Sequence, residues 1–117
     1  MLAHYLFMSN INQLLNHFHR REKRIKLQIE QLNLLQHMAR TNILIMGRNI
    51  AESTTPDSAK EYISGLAYAQ SRRAANGYLL DELYHELAGV RGNIRQLSES
   101  KRLNKQHKSI PYWRLQR

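Results

Sequence analysis

The stretch that decides the fold runs from Ile11 to Ile50, INQLLNHFHRREKRIKLQIEQLNLLQHMARTNILIMGRNI. Alternating steps of four and three from Ile11 reach Leu15, Phe18, Glu22, Ile25, Ile29, Leu32, Gln36, Ala39, Ile43, Met46 and Ile50, and ten of these twelve positions are apolar. A 3.5-residue period sustained for nearly six heptads marks a coiled-coil seam. It predicts a helix over about 10–50, roughly 60 Å long at 1.5 Å per residue, with Ser9 or Asn10 as its N-cap.

Downstream comes AESTTPDSAKEY, where Ser53, Thr54, Thr55 and Pro56 stop the first helix. A connector over 51–57 is expected. Ser58 stands three residues before Glu61, the spacing of a capping box, with Asp57 as the rival cap. A second stripe then passes through Tyr62, Leu66, Ala69, Arg73, Asn76, Leu80, Leu83, Leu87, Val90, Ile94, Leu97, Lys101 and Asn104, nine of thirteen apolar. It predicts a second helix over about 58–104. Gly65, Gly77, Gly89 and Gly92 lie inside it, each costing about 1 kcal/mol against alanine, so local flexibility or close helix approach is expected there.

Folding one helix back on the other pairs positions whose numbers sum to 108 or 109. Ile43 then meets Leu66, Ala39 meets Ala69, Ile29 meets Leu80 and Phe18 meets Val90. Gln36 and Arg73 share a layer, where a hydrogen bond between them would set the register. No convincing period-2 strand is found. The fold class is therefore all-α, a long antiparallel two-helix coiled-coil hairpin over 9–107, with an N-terminal appendage (1–8) and a basic aromatic tail (108–117). So little of a lone hairpin is removed from water that a partner or second copy is expected to rigidify it.

The ends of this 117-residue chain bring no further element into the reading. MLAHYLFM is apolar but too short for a signal sequence core, and it lacks a basic flank. Met8 can serve as a second start, leaving 1–7 as an addition. No run of about 20 apolar residues exists, so membrane insertion is not expected and a cytoplasmic location is the default. The absence of cysteine excludes disulfides and thiolate metal sites.

Charge is uneven along the chain. Residues 1–50 hold seven Lys/Arg against two Asp/Glu, residues 51–90 three against six, and residues 91–117 eight against one. A polyanion or acidic partner should therefore meet the two basic ends, which the hairpin brings together. HRREKRIK (19–26) supplies Arg20, Arg21, Lys23, Arg24 and Lys26 around the seam residue Ile25, and the second helix adds Arg91, Arg95, Lys101 and Arg102. The bland reading of such a run is the solvated face of a long helix. In KSIPYWRLQR, Pro111 ends helical character, and Tyr112 and Trp113 stand among basic residues. These aromatics suit stacking on bases, anchoring in a protein pocket, or nothing beyond a frayed tail.

Catalytic chemistry finds no footing. His17 and His19 are two apart, so they point to different faces and cannot chelate one metal, and His4, His37, His85 and His107 are scattered. Asp81, Glu82 and Glu86 read as a solvated acidic face without a pocket to tune them. No Gly-rich phosphate loop follows a strand. Neither an enzyme nor a cofactor is expected.

RREK at 20–23, the Leu/Gln/Ile-rich seam, the short polar connector, and a second helix ending in Lys/Arg before Tyr112–Trp113 together resemble the type III secretion stalk proteins, the FliJ, YscO and SpaM/InvI-like family, over residues 9–114. The resemblance implies an antiparallel coiled coil like the central stalk of a rotary ATPase. Its terminal end would enter the pore of a hexameric export ATPase, the other part would reach an export gate protein, and secretion chaperones are possible further partners. Carried over by position, Arg20, Arg21, Lys23, Arg24, Arg95, Lys101 and Arg102 would face the ATPase, and 52–62 the gate. The chain is short for that family, and its four helix-2 glycines put the stiffness of a stalk in doubt. The alternative from the residues is a small basic helical nucleic-acid-binding protein of phage or plasmid type, although no helix-turn-helix, zinc-finger or RNA-binding signature appears. A third reading is a structural coiled coil of another assembly, such as a phage particle.

Overall fold

The computed structural model describes residues 2–109, with side chains from 7 to 105. It contains two helices, α1 (Leu2–Glu52) and α2 (Pro56–Ser109), and no strand among the described residues. The chain divides into two compact units. A terminal unit comprises Met1–Ile25 with Glu86–Arg117, and a connector unit comprises Lys26–His85. Within each unit a segment of α1 packs antiparallel to a segment of α2, so the fold is an all-α two-helix coiled-coil hairpin.

The heptad count locates the core. With Ile11 written as position d, a and d carry the seam, and the twelve α1 positions from Ile11 to Ile50 are all buried or half-buried. The terminal unit buries Ile11, Leu15, Ile25, Leu87 and Val90. Its register is fixed across the helices by Arg21, which donates through Nη2 to Oε1 of Glu86 at 2.7 Å, and by Arg91, whose Nε lies 3.2 Å from Oε2 of Glu22. Arg21 and Glu86 both stand at g positions, which face one another across antiparallel helices. The pairing sum of 109 puts Glu22 opposite Leu87, and Arg91, one turn along α2, neutralises it. The signal was present: an acidic residue in an apolar seam needs a cation within reach.

The connector unit has a thinner core, made of Ile29, Ala39, Ala69 and Asn76. Its register follows the expected layers with one correction. Arg73 is exposed, and its guanidinium takes no part in the seam layer. Gln36 Nε2 instead donates to the backbone carbonyl of Arg73 at 3.0 Å, while Gln36 Oε1 is buried with no partner. A long cation pays heavily to lose its hydration, so the neutral amide stays in the seam and the guanidinium leaves it.

The helix boundaries differ from the expected ones. α1 begins at Leu2, so 1–8 is no separate appendage, and α2 runs on to Ser109. The break between helices is only Ser53–Thr55, shorter than the 51–57 expected. Neither Ser58 nor Asp57 is the cap of α2. Thr55 is, accepting at Oγ1 from the Ser58 N–H at 3.2 Å, while the Ser58 hydroxyl donates back to the Thr55 carbonyl at 2.9 Å. Pro56 thus takes the first helical position, where its missing N–H costs nothing, and Asp57 adds a negative charge to the positive end of the helix. At the end of α1, Ser53 donates its hydroxyl to the Asn49 carbonyl at 2.7 Å and its N–H to Ile50 at 3.2 Å.

The glycines separate into two kinds. A Cβ on Gly65 would lie 3.3 Å from the sulfur of Met46, so close approach explains it, and a Cβ on Gly77 would be 3.8 Å from Gln36 Nε2. Gly89 and Gly92 face open space. All four keep ordinary negative φ.

Candidate partner-binding surface

The terminal unit holds the residues singled out for binding. By sequence, its two segments carry twelve Lys/Arg and three Asp/Glu, a net +9, whereas the connector unit carries six of each and is neutral. Because the connector unit is neutral, the whole formal charge of the chain, +9, comes from residues 1–25 and 86–117 of the sequence. This partition is sharper than the three-segment reading of the sequence, because the acidic middle of the chain is balanced by Lys26, Arg40 and Arg48 on α1.

The expected cations fall into two groups. Arg20, Lys23, Arg24 and Arg95 occupy the outward b, c and f positions and are exposed. Arg21 and Arg102 are occupied within the chain. Arg21 makes a two-point contact with Glu86, through Nη2 at 2.7 Å and Nε at 3.2 Å. Arg102 grips Glu99 one turn back through both Nε and Nη2, the Nε contact being 3.1 Å. That grip holds the Glu99 carboxyl below its ordinary value and raises Arg102 above its own, because each charged form is hydrogen-bonded by the other. Lys101 stands at an a position and is half-buried. Tyr112 and Trp113 lie outside the described residues.

These ion pairs serve register more than stability. Their side chains are 40–49 % exposed at Arg21, Glu86 and Arg91, where a pair contributes roughly 0–1 kcal/mol. Among the described residues of the terminal unit they leave Arg20, Lys23, Arg24 and Arg95 exposed outside these pairs, with Lys101 and Lys105 also outside them.

Other features offer less. A hollow at the connector is lined by Asn49, Glu52, Ser53, Thr54, Ser58 and Tyr62, all but Asn49 within the stretch 52–62 expected to face a gate partner. His19 Nδ1 approaches Glu22 at 3.9 Å. Among the described residues no cluster of three His, Asp or Glu side chains could hold a metal ion, and no helix is long and apolar enough to cross a membrane. Comparison with known proteins finds no matching family model, no matching curated protein and no matching solved structure.

Proposed function

We propose that this chain is a non-enzymatic stalk or adaptor of a bacterial type III export apparatus, virulence or flagellar, whose basic terminal unit binds the export ATPase while the connector side reaches the export gate. The observation that supports this reading most is that the connector unit is neutral, so the basic charge of the two-helix scaffold lies with the segments 1–25 and 86–117. Long-range attraction would orient that unit toward an acidic surface such as the mouth of a ring. Arg20, Lys23, Arg24 and Arg95 carry the contact, and Arg21 supports it by tying α1 to Glu86 of α2, while Arg102 is held by Glu99 of its own helix. Tyr112 and Trp113 belong to the same proposed contact as anchors.

The test is an affinity pull-down from the native cell extract, with and without nuclease. Recovery of a hexameric export ATPase or a gate subunit in both arms supports the stalk. Loss of every partner on nuclease treatment, with nucleic acid in the untreated eluate, replaces it with the nucleic-acid-binding reading, whose affinity would fall steeply with salt. Reversing charge at Arg20, Lys23 and Arg24 should abolish ATPase capture while helicity by circular dichroism persists.

A further inference from the structure

The connector unit leaves unusually much of its apolar matter outside. Its buried apolar side chains are one isoleucine and two alanines, Ile29, Ala39 and Ala69. Larger side chains beside them face water: Leu35 is 44 % exposed, Met38 52 %, Ile45 47 %, Tyr68 68 % and Leu79 48 %. These five share one side of the unit, at g and c positions of both helices. Leu35, Met38 and Tyr68 flank a groove of about 300 Å³ whose floor is built of the small residues Gly65, Ala39 and Ala69. That side also carries Glu52, Glu61, Glu82 and, at the groove, Arg72, while the opposite side, at e and b positions, carries Lys26, Glu30, Arg40, Lys60 and Asp81 beside exposed Leu44, Ile63 and Tyr84; the groove is what distinguishes the first side.

We propose that this groove face is covered by the same face of a second copy of the chain, making a four-helix bundle of two connector units. Three observations select a second copy over another occupant. The unit is neutral, with six cations against six anions, so two copies meet without the repulsion that the +9 unit would impose. The five side chains expose roughly 500 Å² per copy, so pairing them removes at most roughly 1,000 Å² in total, the lower limit of a specific interface and the size of a weak, concentration-dependent one. The two-fold pairing is self-complementary, because large side chains border a floor of small ones on each copy. Pairing also supplies the second layer that a core of alanines lacks. The proposal does not depend on the stalk reading, since it uses none of the terminal-unit cations.

The experiment is sedimentation velocity on the full chain across a dilution series. The expected species at high micromolar concentration has twice the 13.8 kDa chain mass, and Met38→Arg with Tyr68→Arg should return it to a single chain with unchanged helicity. If that variant unfolds, single cysteines in this cysteine-free chain decide the matter. A thiol at Met38→Cys should become several-fold slower to label as protein concentration rises, and one at Leu44→Cys should not change. A single-chain mass throughout the series, or protection at position 44 instead of 38, overturns the proposal. Failure here leaves the pull-down result standing, and failure of the pull-down leaves this one standing.

Discussion

Gln36→Leu is the substitution on which the register argument can fail. Gln36 occupies a seam position, donates to the Arg73 carbonyl at 3.0 Å, and buries Oε1 without a partner. Losing the donated bond costs about 1 kcal/mol, while relieving a buried orphan acceptor returns about 1–3 kcal/mol. The Arg73 carbonyl belongs to an exposed residue inside α2, so it keeps its helical partner and access to water. Replacing the half-buried amide by a branched apolar group adds a further few tenths of a kcal/mol. The balance is a gain of about 1 kcal/mol, which moves the urea midpoint up by roughly 0.5 M. Gln36→Glu is the opposing control: it removes the donor and aims a carboxylate at the carbonyl, so the midpoint should fall. Both are read by circular dichroism at fixed protein concentration, because association alters apparent stability. A Gln36→Leu chain destabilised by 1 kcal/mol or more would refute the reasoning, showing that the single amide link outweighs its orphaned oxygen.

The remaining expectations follow from individual contacts. Ile25→Ala, at 2 % exposure, should cost about 2–4 kcal/mol by urea unfolding. Thr55→Ala should cost about 1 kcal/mol through the lost cap. Gly89→Ala and Gly92→Ala, each facing open space, should each stabilise by about 0.5–1 kcal/mol, with a smaller gain for Gly65→Ala because Met46 must give way. Glu99 should titrate below the ordinary carboxylate range by carbon-detected NMR, because Arg102 hydrogen-bonds its charged form. Since its folded value is depressed, its contact with Arg102 is present above the ordinary carboxylate value and is lost as pH falls through the folded one. Arg102→Ala should bring the titration back up to the ordinary carboxylate range.

Much of the fold was legible because its information is periodic. Ile11, Leu15, Ile25 and Ile29 are buried where the 3.5-residue count put them, and Ala39 against Ala69 follows from the same arithmetic. What failed was chemistry at single positions. Counting treated Gln36 and Arg73 as equal members of a layer, but dehydrating a guanidinium costs far more than dehydrating an amide. The capping-box spacing at Ser58 and Glu61 was genuine, yet Pro56 fits a first turn so well that Thr55 claims the cap three residues earlier.

The binding surface divides along the same line. That the chain is basic at both ends, and that Arg20, Lys23 and Arg24 turn outward around Ile25, is a property of the sequence and of helical geometry alone. Which cations are free is not, because the answer depends on acids 65 to 69 residues away. Arg21 is taken by Glu86 and Glu22 by Arg91 only after two helices have met. The sequence by itself determined two helices, their seam and the total charge, since each depends on neighbours within a few turns. Only the tertiary structure decided which charges cancel across the seam, and that Leu35, Met38 and Tyr68 share a groove, because those facts require the distance between residues far apart in the chain.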